Sequence, residues 1–243
     1  MLPTSALAVV APLEVKAKAT DVADRKAKAT DVADRKAKVT DVVDPKVKVA
    51  PHSARVAPAG AKGTSNNRLS LIDSMNAHQR IGILSDTHGY IDDQICKALA
   101  TCDLIFHAGD IGSPHVLERL QAIAPTLAVY GNIDDAALHA QLPEVVHTEV
   151  AGVELVMTHI GGYPGHYERA FAPYLTPWRE RPMITISGHS HILKVMPDKS
   201  RPGLLHINPG AVGRSGWHQS RTLIRLQITS GRPHDLEVIE WPR

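Results

Sequence analysis

Short runs of Val, Ile and Leu alternate with amphipathic stretches in the chain after residue 75. Two stretches between the first runs have helical spacing, Asp92–Cys102 and Pro114–Ala122, and Ser113 is placed to cap the second. The alternation predicts a layered α/β domain that begins as β-α-β-α-β and ends as a β-rich sheet. The predicted strands are Arg80–Ser85, Asp103–Ala108, Thr126–Tyr130, Val145–Val150, Val153–Thr158, Met183–Ser187, Leu204–Asn208, Thr222–Ile228 and Leu236–Ile239.

The first 74 residues have a different composition, with no Phe, Trp or Tyr. They contain a ten-residue repeat, KAKATDVADR from Lys16 and again from Lys26, then KAKVTDVVDP from Lys36. A period of ten matches neither coiled-coil spacing, and each unit offers only Ala and Val for burial. We therefore predict a low-complexity, disordered tail and linker over residues 1–74 and a folded domain over residues 75–243. An alternative is that Met75 is the physiological start.

Charge divides at the same boundary. Residues 1–74 carry 13 Lys and Arg against 8 Asp and Glu, whereas residues 75–243 carry 14 against 17. Basic tails bind polyanions without sequence specificity, so contact with nucleic acid is one interpretation. Each repeat also carries two acidic residues and no aromatic side chain for stacking, which favours a solvated segment without such a partner.

Hydropathy and cysteine content bear on cellular location. No apolar run approaches the roughly 18–20 residues that span a bilayer, so no membrane association is expected. Cys96 and Cys102 match neither a disulfide framework nor a Cys-x-x-Cys zinc site. A cytoplasmic protein with reduced thiols is predicted, and a homo-oligomer remains open.

A cluster of Asp, His or Asn residues directly follows each of five predicted strands. The carboxyl ends of strands in an α/β sheet are where ligands bind, so the clusters are expected to meet at one edge. Their side chains offer oxygen and nitrogen but no thiolate, which suits Mn, Fe, Zn or Ni. Seven donors are too many for one ion, whereas two ions bridged by Asp110 would use them all. The seven are Asp86, His88, Asp110, Asn132, His159, His189 and His191.

The order and local spacing of these blocks resemble the calcineurin-like metallophosphoesterases. The family's D-x-H, G-D, G-N-x-D, lone H and G-H-x-H blocks have counterparts over about residues 80–228, and Asn208-Pro209-Gly210 matches the closing signature of its small single-domain phosphodiesterase branch. The resemblance implies a four-layer αββα sandwich. It also implies one metal held by Asp86, His88, Asp110 and His191, and a second held by Asp110, Asn132, His159 and His189.

The same resemblance implies the reaction. Two divalent ions, Mn²⁺ first with Fe, Zn or Ni as alternatives, would share a bridging hydroxide that attacks a phosphate ester. The residues expected to take part in catalysis are Asp110, Asn132, Asp134 and His159, with Asp134 orienting a neighbouring ligand. Asn132 and Arg214 are the predicted substrate contacts.

One position departs from the family pattern. Many relatives have His directly after the Asn of the G-N block, where it is thought to act as general acid, but this chain has Ile133. Losing a general acid costs about 10²–10⁴ in rate, so we predict phosphodiesters with good leaving groups as substrates. His166 and His218, both in Gly-rich surroundings, are alternative acids.

Three other functions were weighed against a phosphodiesterase. The fold also serves as a non-catalytic scaffold in a retromer subunit whose metal site has degraded, but the ligand set is complete here. Phosphomonoesterase activity is the second. The third treats the repeat tail as an adaptor to nucleic acid or a protein partner, with the phosphoesterase domain as cargo.

Overall fold

The structure is a computed structural model that describes residues 16–19, 78–175 and 182–243. Two β-sheets dominate it. The first has the strand order β1-β13-β12-β2-β3-β4, in which β2, β3 and β4 are parallel neighbours. Its strands are β1 (Lys16–Ala19), β2 (His78–Leu84), β3 (Leu104–His107), β4 (Thr126–Ala128), β12 (Ser220–Thr229) and β13 (Arg232–Pro242).

The second sheet has the order β10-β11-β9-β6-β5. At its centre β9 pairs in parallel with both β6 and β11, while β5 and β10 pair antiparallel at the two edges. A small hairpin of β7 (Gly162–Tyr163) and β8 (His166–Tyr167) follows β6. The strands are β5 (Val145–Val150), β6 (Val153–Thr158), β9 (Met183–Ile186), β10 (Leu193–Pro197) and β11 (Leu204–Pro209).

Helices in the described residues cover the outer face of the first sheet. They are α1 (Asp93–Leu99), α2 (Pro114–Gln121) and α3 (Ala136–Gln141). Each begins at a side chain that accepts a backbone N–H of the first turn: Asp92, Ser113 and Asp135. Such caps satisfy N–H groups that a helix leaves without an internal partner.

Three apolar clusters define the layers. The largest lies between the two sheets and includes Phe106, Met157 and Ile224. The second joins the helices to the outer face of the first sheet, and the third covers the outer face of the second sheet with Phe171 and Leu175. This arrangement confirms the layered α/β fold. In the described residues the outermost layer over the second sheet is the β7–β8 hairpin and a 3₁₀ turn at Ala172–Leu175.

Several element boundaries differ from the sequence predictions. Helix α1 ends at Leu99 rather than Cys102, because the chain turns there to enter β3. Strand β13 extends well beyond Leu236–Ile239 because it pairs with β12 along most of its length. The sequence analysis also missed α3, β10 and the β7–β8 hairpin. Each of these elements is short or half exposed and has a weak apolar period.

Four residues of the repeat tail are among the described residues. Residues Lys16–Ala19 form β1, which pairs in parallel with Glu237–Glu240 of β13. An edge strand presents unpaired N–H and C=O groups, and a segment that alternates Lys with Ala has the period of two that a strand requires. The rest of the predicted tail, and with it the domain boundary near residue 75, lies outside the described residues. No helix among the described residues is long and apolar enough to cross a membrane.

Buried histidines make the stability of the fold depend on pH. Burial lowers the pKa of His206 to about 4, and burial does the same for His107. Between the ordinary pKa near 6.5 and about 4, the unfolded chain therefore binds protons that the folded chain does not. The free energy of unfolding should fall as pH falls through this window, by up to about 1.4 kcal/mol per pH unit for each group.

Urea unfolding at pH 7, 6 and 5, in the presence of a chelator, measures this dependence. The His206→Gln variant lacks one of the two groups, so its stability should fall less steeply with decreasing pH. Equal slopes for the two proteins would show that His206 does not contribute.

Candidate metal centre

The topology brings the polar clusters of the two sheets to one edge. Loops that follow β2 and β3 lie side by side, and Asp86 N–H donates to Gly109 O at 3.0 Å. In the second sheet the loops after β6 and β9 are adjacent in the same way, and Gly188 N–H donates to His159 O at 3.0 Å. Because all four strands run towards this edge, their polar side chains converge there.

The first cluster consists of Asp86, His88, Asp110 and His191, whose ligand atoms all lie within 4.8 Å of one another. Nε2 of His191 is 3.1 Å from Oδ1 of Asp86 and 3.2 Å from Nε2 of His88. Nε2 of His88 is 3.8 Å from Oδ2 of Asp110. Both carboxylates are buried, so the cluster lies largely away from solvent.

Asp110 also belongs to the second cluster, with His159 and His189. Its Oδ1 is 3.1 Å from Nε2 of His159, and that nitrogen is also 3.1 Å from Oδ1 of Asn132. The structure thus brings together all seven side chains that the sequence pointed to, in two groups that share Asp110. Their role as ligands remains a prediction.

The backbone at this edge is strained. Non-glycine residues rarely adopt a positive φ, yet candidate ligands do so at values between 48° and 65°. Such strain persists only where surrounding contacts hold it, and it concentrates at functional sites. The residues are Asp86, His88, Asp110, His189 and His191.

Two glycines of the motifs are required by close packing. A Cβ built on Gly109 would lie 2.6 Å from Nδ1 of His159, and Gly109 has a φ of +86°. A Cβ on Gly188 would collide with Ser85 Oγ and approach Ala108 O to 2.7 Å. Glycine therefore allows the loops of the two sheets to approach each other closely enough for the clusters to form.

The hydrogen-bonding groups of the second cluster fit a cation. Nδ1 of His159 lies 2.7 Å from the carbonyl oxygen of Ala108, which fixes the ring proton on Nδ1. Nε2 of a neutral His159 then presents a lone pair to the oxygens of Asp110 and Asn132. Three acceptors facing one another are satisfied by a divalent ion.

The first cluster has the same character. The buried Oδ1 of Asp86 has no hydrogen-bond partner, although it lies 3.1 Å from Nε2 of His191. An unpaired buried carboxylate oxygen is costly unless a cation compensates it. Imidazole and carboxylate donors without thiolate are the set that Mn, Fe, Zn or Ni accepts.

Electrostatics favour ionised groups here. Burial raises the pKa of Asp110, but its hydrogen bond and charge interaction with His159 outweigh burial, and the net pKa lies below the ordinary value. Burial lowers the pKa of His159, but Asp110 and Asp86 outweigh it, and the net pKa is raised. The cluster thus attracts positive charge, whether a proton or a metal ion.

His218 orients one candidate ligand. Its Nε2–H donates to Gly213 O at 3.0 Å, which leaves Nδ1 as an acceptor 3.2 Å from Nδ1 of His191. The proton of His191 is thereby placed on Nδ1, and its Nε2 lone pair faces Asp86. The sequence analysis considered His218 only as an acid. Its Gly-rich surroundings were the only signal, and they do not show which ring it contacts.

The Asp134 side chain accepts hydrogen bonds from the backbone of two loops. Its carboxylate accepts the N–H groups of Ile111, Gly112 and Gly131 at 2.6 to 3.2 Å, and so joins the loop after β3 to the loop after β4. These hydrogen bonds hold together the two loops that carry Asp110 and Asn132. Such a position suits the predicted role of Asp134 in orienting a neighbouring ligand.

The remaining predicted positions, and the buried His107 that precedes the Gly109-Asp110 block, make contacts of their own. Ile133 is half exposed, and its backbone N–H donates to Oδ1 of Asp110 at 3.1 Å. The guanidinium of Arg214 lies over the Tyr90 ring, 4.5 Å from its centroid. His166 packs against Tyr163 on the β7–β8 hairpin, with ring centroids 4.9 Å apart. His107 is buried and contacts Thr87 Oγ1 at 2.9 Å.

Comparison with known proteins defines the class. Residues 80–231 match the family model of the calcineurin-like phosphoesterase superfamily domain. A probable metallophosphoesterase from Methanothermobacter thermautotrophicus is 41% identical over 139 residues, which cover 54% of this chain and 76% of that protein. A probable metallophosphoesterase from Methanocaldococcus jannaschii is 29% identical over 137 residues, covering 54% and 67%.

Solved structures share the fold. The solution structure of Thermotoga maritima protein TM1076 has a TM-score of 0.50 at 21% identity, covering 66% of this chain and 98% of that one. Wild-type Vps29 from Entamoeba histolytica, complexed with Zn²⁺, has a TM-score of 0.50 at 16% identity, covering 67% and 98%.

The fold and the clustered donors define a metallophosphoesterase-type protein. The chain belongs to the calcineurin-like phosphoesterase superfamily, as the resemblance predicted.

Replacing His218 tests its control of His191. The His218→Phe variant keeps a ring but cannot accept the Nδ1 proton, so Mn²⁺ affinity should fall about 10–100-fold. Titration calorimetry on metal-free protein measures this. His115→Phe, a change on the exposed side of α2, is the matched control and should leave affinity unchanged. His218→Gln retains an acceptor, so its Mn²⁺ affinity should lie between those of the parent protein and His218→Phe. Equal Mn²⁺ affinities for all variants would show that His218 does not orient His191.

Proposed function

We propose that this protein is a divalent-metal-dependent phosphodiesterase that holds two ions at the candidate metal centre. Asp86, His88, Asp110 and His191 would bind one ion. Asp110, Asn132, His159 and His189 would bind the other. The observation that carries the proposal is the pair of acceptor clusters that share Asp110.

The ions would supply an activated water and neutralise charge on the phosphoryl oxygens. Mn²⁺ is the first choice, with Fe, Zn and Ni as alternatives, because the donors are imidazole, carboxylate and amide groups.

Other residues of the chain would orient the metal ligands and contact the substrate. The Ile133 N–H holds Asp110, the Ala108 carbonyl fixes the tautomer of His159, and Asp134 joins the two loops. Asn132 is exposed and its Oδ1 faces His159, so its Nδ2–H remains available to a phosphoryl oxygen. Arg214, which lies over the Tyr90 ring, is the other proposed substrate contact.

The preference for phosphodiesters is proposed because two described positions at the clusters that were candidates for the general acid, 133 and 218, are not suited to that role. The Ile133 side chain cannot donate a proton. Both nitrogens of His218 are engaged, one by Gly213 O and the other by His191. Esters whose leaving groups depart without protonation, such as aryl or nucleotide-like phosphodiesters, are therefore the substrates that fit best.

A non-catalytic scaffold is the second candidate. Trp217 is fully exposed and Ile192 is 61% exposed, which is unusual for large apolar side chains and typical of surfaces that meet a partner. The complete set of acceptors favours the enzyme, because a scaffold has no need of a buried, unpaired carboxylate oxygen such as Oδ1 of Asp86.

Hydrolysis of bis(p-nitrophenyl) phosphate with added Mn²⁺ tests the proposal. Asp110→Ala removes the shared carboxylate and should lower the rate at least about 100-fold. Glu118→Ala, which removes an exposed carboxylate on α2, should leave the rate unchanged. Rates that are equal in all three proteins and independent of metal would overturn the proposal.

The Ile133→His variant tests the account of substrate preference. A histidine at this exposed position places a proton donor beside Asp110, so monoester hydrolysis should rise relative to diester hydrolysis. The ratio of the rates on p-nitrophenyl phosphate and bis(p-nitrophenyl) phosphate is the measurement. An unchanged ratio would mean that another group already supplies the proton.

A further inference from the structure

A cavity of about 180 Å³ opens beside His189, on the outer face of the second sheet. Ile160 and Tyr163 line it from the segment after β6, Lys194 lines it from β10, and His206 from β11. The register of β10 and β11 opposes Lys194 with Asn208, so these residues share the face on which His206 also lies. His189 belongs both to this lining and to the second acceptor cluster.

The size and lining of the cavity suit a single ring. An apolar cavity of about 150 Å³ holds one benzene molecule. The lining is predominantly apolar surface. Ile160 and Tyr163 are 43% and 41% exposed, so apolar surface is open to an occupant rather than filled by the protein's own core.

The charges of the lining favour a neutral occupant over a second anion. Lys194 Nζ lies 3.7 Å from the centroid of the Tyr163 ring, a cation–π contact that holds the ring in place. Glu168 also lines the cavity and offsets the charge of Lys194. Burial keeps the buried His206 neutral near pH 7. The opposite charges of Lys194 and Glu168 therefore offset each other, and His206 adds none.

We propose that this cavity binds an aromatic ring of a phosphodiester substrate while the phosphoryl group occupies the metal centre, with Ile160 and Tyr163 as the walls. The inference rests on the proposed phosphodiesterase function and narrows its substrates to phosphodiesters that carry an aromatic ring on an ester oxygen. Binding of the ring would gain the free energy of burying its apolar surface against these two side chains.

Two monoanionic analogues that differ only in the ring test the proposal. Methyl phenylphosphonate and methyl methylphosphonate both carry a P–C bond that hydrolysis does not cleave, and the leaving group of their one ester bond is methoxide, which departs poorly without a general acid. Calorimetric titration of the full-length, Mn²⁺-loaded protein should show at least about fivefold tighter binding of the phenyl analogue.

Variants of the two wall residues test whether the preference for the phenyl analogue arises in the cavity. Tyr163→Ala and Ile160→Ala should each reduce the phenyl preference towards one, while affinity for the methyl analogue stays unchanged. Tyr174→Ala removes a similarly exposed tyrosine outside the cavity and should retain the full preference.

The outcomes separate the cavity from the function. Equal affinities for the two analogues in the parent protein, or a phenyl preference that survives both wall variants, would overturn the ring site and leave the phosphodiesterase proposal intact. Failure of both analogues to bind, together with no hydrolysis of bis(p-nitrophenyl) phosphate, would overturn both. A third outcome would also contradict the proposal. If methylenediphosphonate bound more tightly than methyl phenylphosphonate, and Lys194→Met abolished that difference, the cavity would take a second anion rather than a ring.

Discussion

Acceptor groups that face one another without an intervening donor are the constraint on which this structure depends. Asp110 belongs to both clusters, and nitrogen atoms of His159 and His191 point at carboxylate oxygens. Such an arrangement is unfavourable in a buried site unless positive charge lies within it. The loops, the strained φ angles and the close glycine contacts together hold these acceptors in place, and positive charge between them would balance them.

Support for the clusters comes from groups one contact further out. Ala108 O fixes the proton of His159, His218 fixes that of His191, and the Asp134 carboxylate ties two loops together. Each of these contacts decides which atom of a ligand faces the centre. The strands that form the core between the two sheets also carry these loops. Packing of that core therefore helps to fix the orientation of the candidate ligands.

The surface beside the clusters is unusual for its apolar exposure. Ile133, Ile160 and Tyr163 surround a centre whose interior is polar. Apolar side chains next to a charged site can recognise the part of a ligand that is not phosphate. This surface and the absence of a proton donor in the side chain at position 133 are the basis for proposing an aromatic diester rather than a simple monoester.

The sequence by itself determined the layered fold and the seven donor side chains, because strands with strong apolar patterns and short motifs at their ends are local signals. It could not find β10 or α3, whose patterns are weak, nor the pairing of Lys16–Ala19 with β13. Only the tertiary structure decided that His218 contacts His191 and that Lys194 and Tyr163 line a cavity beside His189. These contacts join residues from different strands and loops, and their geometry depends on how the two sheets pack rather than on any local spacing.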